Sequence, residues 1–192
     1  MINGINLLQL DLSDKNLKSF DDIFSKNLAS RNELLDAESI ILTGNQLSNL
    51  NGFPKRVTGS IDVSFNVLTS LKGLPEIING YFYADENKNL KTLEYISKNV
   101  KKISIIGCKT IDVHDIFDTK FTADAEEQIY LSYHKKLAVL PLIKFRVLFD
   151  GNNDLIMTIY KYENNGSKEN ILDCQMQLIK KGYEQNARWT PE

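Results

Sequence analysis

The chain is poor in the residues that build metal and redox sites. Its 192 residues include only two cysteines, Cys108 and Cys174, and two histidines, His114 and His134. These four stand apart, in none of the spacings that hold zinc, and no signature supports a Cys–His nucleophile pair. Both cysteines have apolar neighbours (Ile105, Ile106; Leu172, Met176) and read as buried free thiols, not a disulfide. No apolar run approaches the ~20 residues that span a bilayer. The opening Met1-Ile2-Asn3-Gly4-Ile5-Asn6 has neither the cationic start nor the apolar block of a signal peptide. The expectation is a soluble, cytoplasmic protein without membrane contact.

An excess of one charge is missing too. Lys and Arg number 23 against 25 Asp and Glu, a formal net charge of -2. A dedicated nucleic-acid binder carries a basic excess, so nucleic acid is not the expected partner. The pairs Lys101-Lys102, Lys135-Lys136 and Lys180-Lys181 read as solvated faces. A phosphate loop, a Gly-x-Ser-x-Gly elbow and a dinucleotide fingerprint are all absent. Asp150-x-Asn152-x-Asp154 starts like a calcium loop, but the sixth and twelfth positions, which need Gly and Glu, hold Leu155 and Lys161. No enzyme activity, metal or cofactor is expected.

What the sequence does have is an internal repeat, in a chain with enough apolar material (42%) for a core. Ile40-x-Leu42-x-x-Asn45-x-Leu47-x-x-Leu50-x-x-Phe53-Pro54 matches Ile61-x-Val63-x-x-Asn66-x-Leu68-x-x-Leu71-x-x-Leu74-Pro75 position for position. A third copy runs Phe82-x-Ala84-x-x-Asn87, then Leu90 and Leu93. A fourth is Ile103-x-Ile105-x-x-Cys108, then Ile111. Asn45, Asn66, Asn87 and Cys108 are evenly spaced. An earlier copy, Leu7-x-x-Leu10-x-Leu12-x-x-Lys15-x-Leu17, puts Lys15 in the same slot, but a longer stretch separates it from Asn45.

Each repeated position has a physical use. Leu-x-Leu is a short strand that turns two apolar residues inward. The Asn that follows also turns inward and bonds backbone groups that the turn leaves unpaired, so Asn45, Asn66 and Asn87 are expected to form a buried ladder. Cys108 takes the same slot as a small substitute. Pro54 and Pro75 oppose a long helix on the return, and Gly59 and Gly80 mark tight turns before strands. The extra residues of the first spacing, with Phe20, Ile23, Phe24, Leu28, Leu34 and Leu35 at helical spacing, predict a helix or cap. In the third copy Leu90 is three after Asn87, not two, which predicts a bulge.

This arrangement resembles the leucine-rich-repeat family, with its Leu-x-x-Leu-x-Leu-x-x-Asn/Cys-x-Leu unit. The resemblance implies an α/β solenoid over residues 1–117, with short parallel strands on a concave face. Asn66–Pro75 also resembles the repeats of secreted bacterial effectors that carry ubiquitin-ligase domains. Their catalytic Cys-x-Asp is absent, since Cys108 is followed by Lys109-Thr110 and Cys174 by Gln175-Met176. The Gly59/Gly80 and Pro54/Pro75 punctuation, and the ending from Cys174 to Trp189, are similar to uncharacterised repeat proteins of tailed bacteriophages. That similarity implies an accessory protein that binds, and modulates or inhibits, a host bacterial protein, including a defence protein.

Residues 118–192 read as a small α+β unit capping the repeats. Asp124 to Leu140 has helical spacing and ends at Pro141. Ile143–Phe149 and Leu155–Tyr162 read as the strands of a hairpin turning at 150–154. Ser167 caps a final helix with Ile171, Leu172, Gln175, Leu178 and Ile179 on its core side and Gly182 as its stop.

The repeat itself predicts the site. Strand residues between the inward ones face outward: Asp11, Ile41, Asp62, Tyr83 and Ser104 in one column; Ser13, Thr43, Ser64, Asp85 and Ile106 in the next, with Tyr81 beside them. Exposed aromatics in a polar surround are what protein interfaces favour. The expected function is a non-enzymatic protein-binding module acting through Asp11, Ile41, Asp62, Tyr81, Tyr83, Asp85, Ser104 and Ile106. The alternatives are a structural component that self-assembles through its last third, a nucleic-acid binder, and a hydrolase or transferase in that last third.

Overall fold

A computed structural model describes residues 9–97, 100–111, 128–132, 137–144, 147–150, 153–162 and 168–189. Every inward pair of the repeat lies on or beside a short strand: β1 (Gln9–Asp11), β2 (Ser39–Ile41), β4 (Ile61–Asp62), β6 (Tyr81–Tyr83) and β7 (Lys102–Ile105). Two further strands, β8 (Gln128–Ser132) and β9 (Val147–Asp150), continue the series. All seven pair in parallel, in the order β1-β2-β4-β6-β7-β8-β9, as one open sheet. The register sets equivalent positions side by side: Leu10, Ile40, Ile61, Phe82, Ile103, Ile129 and Val147 form one row. All but Leu10, which is partly buried, are core residues. Between the strands the chain returns through Pro54 and Pro75 into β3 (Arg56–Val57) and β5 (Ile77–Ile78), a second, two-stranded parallel sheet. Val57 and Ile78 join the same core.

The asparagine ladder forms as the repeat predicts. Asn45, Asn66 and Asn87 are buried. Asn66 Oδ1 accepts from Leu47 N–H (2.9 Å), and Asn87 Oδ1 from Leu68 N–H (3.0 Å). Each amide nitrogen donates back one repeat, Asn66 to the Leu42 carbonyl (2.9 Å) and Asn87 to that of Val63 (3.0 Å). Cys108 donates from Sγ to the Ala84 oxygen at 3.1 Å and its sulfur faces the Asn87 N–H, but it does not take the Leu90 N–H. The third copy explains why. Its extra residue makes a tight turn in which Leu90 N–H bonds the Asn87 carbonyl (3.0 Å), so Leu90 needs no acceptor from slot 108. The predicted bulge is this turn. Gly59 and Gly80 lie where the chain passes close: an added Cβ would stand 2.1 Å from the Glu38 oxygen and 2.6 Å from the Gly59 carbonyl carbon.

The extra residues of the first spacing form two short helices, α1 (Asp21–Ser25) and α2 (Arg31–Asp36). The second starts with a reciprocal cap: Glu33 N–H to Ser30 Oγ (3.2 Å) and Ser30 N–H to Glu33 Oε2 (2.7 Å). Phe20, Ile23 and Leu34 are buried, while Leu35 points to solvent.

The last third departs from expectation. In place of a helix over Asp124–Leu140 there is strand β8; residues 112–127 and 133–136, with His114, His134 and the 117/118 boundary, lie outside the described residues. Ile129 and Leu131 are buried while Tyr130 and Ser132 are half-exposed, an alternation of period two. The strand satisfies backbone groups that β7 would otherwise leave unpaired at a sheet edge. Next comes helix α3 (Val139–Lys144), so Pro141 does not end a helix but sits in a first turn, where a missing N–H costs nothing. Of the expected hairpin only β9 forms, and it pairs in parallel with β8. Leu155–Tyr162 is not a strand: helix α4 (Asn153–Tyr160) covers most of it, burying Leu155, Thr158 and Ile159 at helical spacing.

The final helix, α5 (Lys168–Lys180), forms as expected, and Gly182 ends it at φ +83°. The Ser167 cap lies outside the described residues. The buried face differs: Ile171, Cys174 and Leu178 face the core, while Leu172 and Ile179 are exposed. The tail is tied down by Asn186, whose Nδ2 donates to the Leu137 carbonyl (2.9 Å), and by Val139 N–H to the Arg188 carbonyl (2.8 Å). Among the described residues no helix is long and apolar enough to cross a membrane.

Candidate partner-binding face

Because strand side chains alternate, every second residue of the seven-stranded sheet faces away from the core. The register lines up Asp11, Ile41, Asp62, Tyr83, Ser104 and Tyr130 across six strands. Tyr81 and Lys102 are paired in the neighbouring column. Of the residues expected at the site, Asp11, Ile41, Asp62, Tyr81, Tyr83, Asp85 and Ile106 are at least partly exposed there, and only Ser104 is buried.

The carboxylates are held by local hydrogen bonds. Asp11 Oδ1 accepts from Ser13 N–H (2.9 Å) and Ser13 Oγ (2.7 Å), which pulls its carboxyl below the usual range. Asp62 repeats the turn, with Ser64 N–H at 2.9 Å. Asp85 is different. It accepts from Ser104 Oγ (2.7 Å) and Ile106 N–H (2.8 Å), yet burial pushes its carboxyl up, and nearby Asp62 adds to the rise. Ser104 is 3% exposed, so its role is to hold Asp85, not to meet a partner.

The aromatic residues gather round a cation that sequence reasoning left out of the site. Tyr81 and Tyr83 meet edge to face at 6.3 Å. Lys102 Nζ lies 4.2 Å from the Tyr130 ring centroid, 5.5 Å from that of Tyr83 and 5.8 Å from that of Tyr81. Burial, reinforced by Tyr81, Asp62 and Asp85, raises the Tyr83 hydroxyl above the ordinary tyrosine range. The repeat period alone points to Lys102, which stands one repeat after Tyr81. Tyr130 was hidden by reading its segment as a helix. Beside this cluster a cavity of about 320 Å³ opens between Glu38, Ile41, Asp62 and Tyr83.

A second row was not anticipated. The residue before each ladder position is left-handed: Asp14 (φ +56°), Gly44 (+70°), Phe65 (+55°), Glu86 (+56°) and Gly107 (+80°). Glycine suits this slot; a phenylalanine does not. Phe65 nevertheless occupies it with 59% of its surface exposed, next to the row that holds Ser64.

Neither cysteine suits nucleophilic chemistry: burial pushes the Cys108 thiol up to about 12 and the Cys174 thiol up to about 11. Among the described residues no group of three or more His, Cys, Asp and Glu could hold a metal ion. Comparison of the chain with protein-family models, curated proteins and solved structures gives no match.

Proposed function

We propose that the chain is a leucine-rich-repeat solenoid that binds another protein through the outward face of its parallel sheet, without catalysing a reaction. One observation carries this reading: Tyr81, Tyr83 and Tyr130 cluster round Lys102 beside the Asp62 carboxylate and the adjoining cavity. Large amphipathic rings bury much apolar area at little entropic cost, and carboxylates at the rim select orientation and partner charge. The ladder and the constant register support the solenoid, since the Asn66 and Asn87 repeats make the same hydrogen bonds to their neighbours. The high thiol pKa values count against a cysteine nucleophile. Resemblance to tailed-bacteriophage repeat proteins makes a host bacterial protein the partner proposed, its activity modulated or blocked on binding.

The test is capture from bacterial lysate by three immobilised proteins: wild type, a Tyr81→Ala/Asp62→Lys variant, and Leu172→Glu, which changes an exposed residue of α5. Circular dichroism establishes that all three are folded. A protein retained by wild type and Leu172→Glu but lost by the face variant supports the reading. Equal retention by all three sinks it.

A further inference from the structure

Helix α5 is apolar on two sides. Ile171, Cys174 and Leu178 are buried, while Leu172, Met176 and Ile179 form a second stripe at i, i+4 and i+7 that is about half exposed (45%, 51% and 51%). An open groove of about 620 Å³ runs along it, lined also by Glu169 and Asp173. Single exposed apolar residues are unremarkable, but three in line on one helix mark a contact surface.

The charges beside the stripe are sorted by sign. Glu169 and Asp173 flank its N-terminal half, and Lys180 flanks its C-terminal end. All three are exposed, and none has an ion pair among the described residues, whereas Lys181 is engaged by Asp154. Two α5 helices laid antiparallel about Met176 bring Lys180 of each copy between Glu169 and Asp173 of the other. Laid parallel about a two-fold axis, their charged flanks would fall on opposite sides and Lys180 would meet no carboxylate of the other copy. The surface is therefore complementary to itself under a two-fold axis, the requirement for a closed homodimer.

We infer that α5 is a self-association surface, on which a second copy of this chain packs antiparallel through Leu172, Met176 and Ile179. The inference does not depend on the sheet-face reading, because it uses a different element. Contact through a single helix stripe is expected to give a weak, concentration-dependent dimer.

Sedimentation equilibrium of the full chain from about 10 µM to about 1 mM tests this, the range in which weak dimers form. Wild type is expected to pass from monomer to dimer over the range. Met176→Lys, at an exposed position, is expected to remain a monomer with an unchanged circular dichroism spectrum. Lys180→Glu alone, or Glu169→Lys/Asp173→Lys alone, is expected to weaken the dimer about tenfold, while an equimolar mixture of the two restores it. A chain that stays monomeric throughout overturns the inference. So does a dimer indifferent to Met176→Lys, or one that Lys180→Glu leaves intact.

Discussion

Replacing Asn66 with alanine removes one rung of the ladder, and the damage can be counted bond by bond. Leu47 N–H donates to Asn66 Oδ1 and has no second acceptor among the described residues, so the variant leaves it buried and unpaired. An orphaned donor of this kind costs about 1–3 kcal/mol. The Leu42, Val63 and Ser64 carbonyls, which share the two Nδ2 hydrogens, fare better. Each keeps another donor, Asn45 Nδ2, Asn87 Nδ2 or Gly44 N–H, so two bonds are lost and no carbonyl is orphaned. A lost bond of that kind is worth about 0.5–1.5 kcal/mol. The sum is about 4 kcal/mol, a large part of the ~5–15 kcal/mol that holds a domain together. In thermal unfolding that corresponds to a fall of roughly 8–16 °C for a chain of this size. Cys108→Ala is the internal comparison. It removes one thiol donor and the weak sulfur acceptor that faces the Asn87 N–H, while Leu90 N–H keeps the Asn87 carbonyl; its cost is about 1–2 kcal/mol. The assay is urea unfolding followed by circular dichroism. An Asn66→Ala loss below about 1 kcal/mol, or one that Cys108→Ala equals, would refute the reasoning.

Other perturbations follow from the same geometry. Phe65→Asn relieves a bulky residue from left-handed backbone, and this chain already places Asn16 and Asn27 in that conformation, so stability should rise by roughly 0.5–1 kcal/mol in the same assay. Asp85→Asn keeps the Oδ1 acceptor and removes a charge that burial disfavours. Since the folded carboxyl titrates above its unfolded value, the charge costs stability above the folded pKa and costs nothing below the unfolded one. The variant should therefore be more stable than wild type at about pH 7.5 and no more stable at about pH 3, compared by urea unfolding at each pH. Native protein should leave Ellman's reagent uncoloured over minutes, and both thiols should react once urea unfolds the chain, in keeping with values raised to about 12 and about 11.

The first two thirds of the fold were legible because one physical rule is written there four times. Position after position, an apolar pair is followed by Asn or Cys at fixed spacing, and the register of the sheet follows that spacing. Beyond Ile111 the rule loses its markers. Along the row, the step from Ile103 to Ile129 is longer than one repeat and the step from Ile129 to Val147 is shorter; the slot five after Ile129 holds His134, and Asn152, five after Val147, reads from sequence as part of a hairpin turn. Tyr130 and Ser132 gave no strand signal alone, since the pairing that fixes them belongs to β7. Leu155–Tyr162 carries aromatic and β-branched residues that favour strands, but tertiary packing of Leu155 and Ile159 overrides that preference. On α5 both Leu172/Met176/Ile179 and Ile171/Cys174/Leu178 have helical spacing, so periodicity cannot choose the buried side. The site was half visible. The outward columns were readable from alternation, while Phe65 needed a backbone angle and Tyr130 needed a neighbour.

The constancy of the ladder's offsets bears on how the chain folds. Leu47 to Asn66 and Leu68 to Asn87 both close over 19 residues; Asn66 to Leu42 and Asn87 to Val63 both close over 24. No bond of the ladder from Asn66 onward reaches past the adjacent repeat. The entropic cost of closing each loop is therefore the same small amount, met once per repeat. Under the solenoid reading, folding is expected to propagate from whichever pair of repeats docks first. Opening on the same reading runs the other way: the amide protons of β6, the middle strand of the seven, are expected to exchange last, after those of the strands towards either end.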